Sequence, residues 1–330
     1  MKLFLILFAL LALGAVSACV HSAVYTSRVE TAYPPKGTFV SVNGSDVHVI
    51  SAGDDGPLVL MIHGASANAY EFTYTLAPRL SDGHRVLMAD RPGHGYSERP
   101  DEAETLGIQA AQMAGVLDAI APGERAVIVG HSFGGAVALR LALDHPEKVK
   151  GLVLLAPVSH DWGGGGEAWY NRYAGAPLIG PIFSQVVPIV GPAQVKSGVN
   201  GVFSPKPAPD TYYENSAIGL LFRPPAFRAN AKDVNALREE MAAQEDRYPN
   251  IDAPIVVFSG AQDTVISPPL HVGKLKHQVE GLQLVRLPDG GHMPHHAYGK
   301  EAAEAIRLIA AGQPVSGAAL EASALARDKE

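Results

Sequence analysis

Cysteine is almost missing from this chain: among 330 residues there is one, Cys19. A single thiol excludes an internal disulfide framework and any zinc site built on paired cysteines. Charge is sparse too. Charged residues make up 18% of the chain, the formal net charge is -7, and Lys and Arg form no stripe. That excludes a surface built to track nucleic acid, which needs clustered cations. A mildly acidic surface serves solubility instead. There is no G-x-x-x-x-G-K phosphate loop, and the Gly163–Gly166 run lacks the strand-turn-helix setting of a dinucleotide fingerprint. The 13 histidines show no ligand spacing such as H-E-x-x-H, so neither metal nor cofactor is expected.

The longest uninterrupted apolar run stands at the start. Met1-Lys2 is followed by an apolar stretch over 3–16 that is short for a comfortable bilayer span, then by small residues. This reads as a secretory signal peptide over 1–18. Val16-Ser17-Ala18-Cys19 resembles the lipobox of bacterial lipoproteins. The resemblance implies cleavage before Cys19, a lipid on that cysteine, and an exported protein held at a membrane surface. Val20, in place of an acidic residue, favours the outer membrane. Residues 19–37, ending near Pro34-Pro35, read as a tether.

Apolar content is ample at 47%, enough for a sizeable core. A hairpin is expected over 38–51, around Asn43-Gly44. Apolar strand-like runs follow at 58–62, 85–89, 126–129, 150–155, 255–259 and 282–287. Helical spacing separates them at 105–120, 133–143 and 268–278, and closes the series at 300–311. Alternation of this kind predicts an α/β fold with a mostly parallel sheet covered on both faces. The expected core spans 38–157 and 251–312. Between them, 158–250 is rich in proline and aromatic residues and too long for a plain loop. It reads as an inserted cap of short helices, most of whose aromatics pack the cap onto the core. The tail, 313–330, reads as a loose or frayed helix.

The chemistry centres on Ala126–Gly135, AVIVGHSFGG. G-x-S-x-G between a buried strand and a helix is a nucleophile elbow. Side chains at Gly130 and Gly134 would collide with backbone in so sharp a turn. The turn holds the Ser132 hydroxyl above the sheet, beside a helix N-terminus that favours negative charge. Serine needs a base, and the base an orienting group. Asp263 follows the strand at 255–259, and His292 follows the strand at 282–287. The order Ser, Asp, His at successive strand ends points to Ser132, Asp263 and His292 acting together. Asp263 could instead cap a helix, with Asp161 the alternative acid. His295 and His296 are the alternatives to His292, and that pair is expected to be solvated. The backbone N–H groups of Ala65, in His63-Gly64-Ala65-Ser66, and of Phe133 are candidate oxyanion donors. Asp90 and His94 are expected to organise their loop.

These segments together resemble the α/β-hydrolases, in the cap-bearing, esterase-like group. The matching residues are HGAS at 63–66, DRPGHGYSERP at 90–100, GHSFGG at 130–135, the Asp263 loop and Gly291-His292. The resemblance implies a serine hydrolase, first of all a carboxylesterase or lipase acting on a small apolar ester. A serine at the elbow argues against dehalogenase-like and epoxide hydrolase-like members, which use aspartate there. Carbon–carbon bond hydrolases share the triad but commonly carry a glycine-richer oxyanion segment. Lactonase, cofactor-free haloperoxidase and peptidase activities stay open. So does a surface-anchored binding protein on a hydrolase scaffold, which a fluorophosphonate probe would leave unlabelled. Oligomeric state is not legible in the sequence.

Overall fold

The computed structural model describes residues 1–165 and 168–327. The end of the glycine run at Gly166 and the last three residues of the tail therefore lie outside the described residues. Eight strands form one sheet: β1 (Thr38–Val42), β2 (Ser45–Ala52), β3 (Leu58–Ile62), β4 (Arg85–Ala89), β5 (Ala126–His131), β6 (Val149–Leu155), β7 (Ile255–Gly260) and β8 (Gln283–Leu287). Their order is β1-β2-β4-β3-β5-β6-β7-β8. β1 and β2 form the expected hairpin, antiparallel across Asn43 and Gly44, both at positive φ. β2 also runs antiparallel to β4, and every later pairing is parallel.

The central strands are apolar throughout because both faces of the sheet are covered. In β3, Leu58, Leu60 and Ile62 enter one core cluster while Val59 and Met61 enter the other. That is the period of two expected of a strand. The first face carries the helices Leu106–Ile120 and Phe133–Asp144, and the second carries Gly299–Ala310. Thr105 caps the first of these helices through its side-chain oxygen.

Between β6 and β7 the chain is helical, as expected, but not all its helices are short. Trp169–Gly175, Gly180–Phe183, Val187–Val190 and Val195–Phe203 are brief, whereas Pro224–Gln244 runs for 21 residues. This long helix ties the insertion to the core. Its Asp233 carboxylate is buried between Arg91 at 2.7 Å and Arg99 at 2.8 Å.

Two terminal expectations are corrected. Residues 21–32 are not a tether. They continue the helix α1 (Lys2–Ala32) and lie against the insertion. Ser22 and Val29 are buried and Tyr25 partly so, spaced three and four apart on one helical face. The Tyr25 hydroxyl donates to the Gly219 carbonyl at 3.0 Å, and Glu30 pairs with Arg223 at 2.7 Å. The tail is not frayed over its described part. Helix Gly317–Arg327 covers β8, burying Leu320 and Ala324, and Glu321 accepts a hydrogen bond from the Arg286 amide at 3.0 Å. An edge strand presents unpaired backbone groups, and a packed helix satisfies and screens them.

Candidate active site

β5 delivers Ser132 directly into the helix Phe133–Asp144. Ser132 sits at φ 50° and ψ −115°, a conformation that side-chain-bearing residues rarely adopt. The strain is tolerated because the neighbours give way. A Cβ on Gly130 would lie 2.4 Å from the Gly134 carbonyl oxygen, and one on Gly134 would lie 2.1 Å from that of Ile62. The Ser132 amide donates to Leu155 on β6 at 3.0 Å, which locks the turn to the sheet.

The three residues singled out from the sequence meet here. His292 Nε2 lies 2.9 Å from Ser132 Oγ, and His292 Nδ1 lies 2.8 Å from Asp263 Oδ2. With a carboxylate as its partner, Nδ1 carries the proton, and Nε2 is left as the acceptor for the serine hydroxyl. Asp263 caps no helix, because 264–266 form a bend. Its Oδ1 accepts the amides of Val265 at 2.8 Å and Ile266 at 3.1 Å, while Oδ2 holds the histidine. Burial pushes the Asp263 carboxyl up, but His292 and those two amides outweigh it and hold the group below the usual aspartate value. Burial pushes the His292 imidazole below its ordinary value, against the Asp263 hydrogen bond that raises it. Asp161 is elsewhere, 4.0 Å from Arg238.

The two candidate oxyanion donors border the same serine. Phe133 is the first residue of its helix, so its N–H has no acceptor one turn back. Ala65 follows β3, with the amides on either side tied down: Gly64 donates to Glu71 Oε2 at 3.3 Å and Ser66 to Asn230 Oδ1 at 2.6 Å.

The sequence pattern of the Alpha/beta hydrolase family matches residues 59–305, most of the chain. The chain belongs to this family. An AB hydrolase superfamily protein of Bacillus subtilis is 28% identical over 215 residues, 62% of this chain and 67% of the relative. The 2-hydroxymuconate semialdehyde hydrolase of a Pseudomonas species is 38% identical over 125 residues, 37% of this chain and 44% of the relative. The chain thus spans less than half of that enzyme's length. Among solved structures, a membrane phospholipase A shares the fold with a TM-score of 0.67 and 24% identity, over 94% of this chain and 99% of that one.

The hydrolase contains two buried groups that motif reading passed over. Glu71, on the short helix α2 (Tyr70–Thr73), is buried in contact with three loops. Besides the Gly64 amide, it meets His131 Nδ1 at 2.5 Å and His295 Nε2 at 3.1 Å. His131 Nε2 in turn reaches the His292 carbonyl at 2.9 Å. Burial pushes the Glu71 carboxyl up, but His131 and His295 hold it well below the usual range. Burial lowers His131, and Glu71 outweighs burial and raises it, so the two form an ion pair. Burial takes His295 down to about 4, so it stays neutral. The expected solvation of His295-His296 is therefore corrected: His295 is buried on Glu71, and His296 packs against Phe203 and Tyr212. The ligand atoms of Glu71, His131 and His295 lie within 4.8 Å of one another. A metal bound at about 2.1 Å to each would need its donors roughly 3 Å or more apart, and the 2.5 Å Glu71–His131 contact is an ion-pair distance instead.

Arg91 is the second such group. It donates to the carbonyls of His63 and Gly64, both at 3.2 Å, and lies over the Phe133 ring at 4.1 Å. It thereby touches both segments that carry the candidate oxyanion donors. Asp90 organises its loop as expected, accepting the amides of Ala69 at 2.7 Å and Tyr96 at 2.9 Å. A cavity of about 230 Å³ opens beside the His292 loop, lined by Phe203, Lys206, Pro207, Met293 and His296 among others. A separate groove of about 770 Å³ lies between α1 and the insertion, and Ser132 is not among its lining residues.

Proposed function

We propose that this chain is a serine hydrolase that cleaves an apolar carboxylic ester through an acyl-enzyme on Ser132. The observation that carries the reading is the relay from Asp263 through His292 to Ser132, with contacts of 2.8 and 2.9 Å. Ser132 Oγ attacks the ester carbonyl carbon while His292 Nε2 takes its proton. Asp263 holds the imidazole and stabilises the imidazolium. The Ala65 and Phe133 amides receive the oxyanion, whose stabilisation by each donor is worth about 10²–10³ in rate. Collapse breaks the C–O bond, and His292 protonates the departing alkoxide. Water then attacks the acyl carbonyl, gives its proton to His292, and the acid leaves as Ser132 regains its own.

The N-terminal segment is proposed to hold the hydrolase at a bacterial membrane after export. Two attachments serve: lipid on Cys19 after cleavage, or α1 kept whole. Among the described residues α1 is the one unbroken helix long and apolar enough to cross a bilayer. A signal sequence has the same character, and mass spectrometry of the N-terminus separates the two.

Carbon–carbon bond hydrolysis is the second reading, favoured by the 38% identity to the semialdehyde hydrolase. A panel of p-nitrophenyl esters graded by acyl length, run beside lactones and a vinylogous 1,5-diketone, tests both. Ester turnover together with fluorophosphonate labelling at Ser132 supports the proposal. Cleavage of the diketone alone moves the chain to the second reading. An unlabelled Ser132 removes hydrolysis altogether and leaves a binding role.

A further inference from the structure

The outward face of the insertion is apolar where a soluble protein would be polar. Leu178 is 87% exposed, Ile182 71% and Trp169 69%, with Ile179, Ile189 and Val190 open beside them. The aromatics here pack on one another, Trp169 against Tyr173 and Phe183, with Tyr173 stacked on Phe183. They extend the apolar surface without filling the cavity beside His292. So many large exposed apolar side chains in one short stretch of chain mark an interaction surface.

The position of α1 identifies what covers it. The first part of α1 is exposed and apolar, and its last dozen residues are docked. α1 packs directly on Ser184–Val186 and Val187–Val190, and the second of these carries Ile189 and Val190 of the patch. Tyr25 is anchored in the cluster of Ala174, Val187, Phe222, Phe227 and Ala231. Cys19 lies in the same groove as Pro181 and Ser184. Membrane attachment therefore begins next to the patch under either form, acyl chains on Cys19 or an intact α1. The helices Trp169–Gly175 and Gly180–Val190 are together apolar enough for a span, but they are bent by 115° and short. So short and sharply bent a pair suits an interface plane better than a straight crossing.

We propose that this face, around Trp169, Leu178, Ile179, Ile182, Ile189 and Val190, rests in the interfacial layer of a lipid bilayer, so that the hydrolase draws its ester substrate from the membrane. The inference rests on the ester-hydrolase reading for its substrate and on the α1 contacts for its surface.

Two measurements on the full-length protein in phosphatidylcholine vesicles test it. In a Trp162→Phe variant, Trp169 is the sole tryptophan. Its emission should shift to the blue and be strongly quenched when the lipid acyl chains are brominated. Vesicle-bound protein with unquenched Trp169 overturns the proposal. The pair Leu178→Asp and Ile182→Asp changes exposed side chains that support no core. It should lower release of fatty acid from vesicle phospholipid about tenfold, the equivalent of some 1.4 kcal/mol, and leave a soluble short-chain p-nitrophenyl ester untouched. Equal loss on both substrates, or no loss on either, overturns it. A wild-type protein that cleaves neither substrate defeats the ester-hydrolase reading instead, and Trp169 quenching then decides the surface alone.

Discussion

β5 and the β6–β7 insertion hold their residues in place by different means. Every residue of β5 is buried, and the strand is paired to β3 on one side and β6 on the other. Ser132 inherits that rigidity at one bond's remove. Among its described residues the insertion has no ladder. It is held by a long helix whose Asn230 and Asp233 reach into the core, while its short helices leave large apolar side chains outside. Proton transfer requires contacts near 2.8 Å and tolerates little play. Contact with an apolar substrate or surface tolerates far more, because it scales with area and has no preferred direction. The rigid part of the molecule therefore carries the relay and the adaptable part faces outward.

The comparison breaks most sharply at Ser132. Ser132→Ala should lower ester turnover by about 10⁴-fold or more, with melting temperature and circular dichroism unchanged. A variant that keeps a tenth of the activity would sink the assignment. Glu71 probes whether the loops around the relay share one support. Glu71→Ala removes the buried partner of His131 and should cost about 3–5 kcal/mol of stability, read by urea unfolding. A change under about 1 kcal/mol would mean that the loops stand independently. Acidification tests the base. His292 must be neutral to accept the Ser132 proton, and burial pushes its pKa below the ordinary histidine value. Activity should therefore persist through neutral pH and fall about tenfold per pH unit once the pH drops below that lowered pKa. An acid limb centred above pH 7 would contradict the buried setting. The smallest effect belongs to the insertion. Phe203→Ala opens the cavity beside His292 and should shift preference toward longer acyl chains by about tenfold in kcat/KM, with kcat on short esters little changed.

Much of the core was legible because its signals are local. Short apolar runs leading into Gly, His or Asp mark several of the strands and the loops that follow them. Chain order then named Ser132, Asp263 and His292 together. Glu71 was not legible. It follows no motif, and a lone glutamate in a short apolar segment reads as a surface residue until the fold surrounds it. Arg91 lay inside a quoted motif, but its partner Asp233 is 142 residues away on a helix of no special pattern. The docking of α1 and of the tail was missed for a similar reason. The spacing of Ser22, Tyr25 and Val29, and of Leu320 and Ala324, is helical but sparse, and only a partner surface gives it meaning.

The residues alone determined the layered sheet, the elbow and the candidates for nucleophile, base and acid, since each follows from hydrophobic period, turn chemistry and order along the chain. Folding in three dimensions decided which buried charges brace those groups, where both ends of the chain rest, and which face of the insertion stays bare. The reason is physical: strand period and turn strain act between neighbours in sequence, whereas ion pairing in a dry interior and the covering of apolar surface act between neighbours in space.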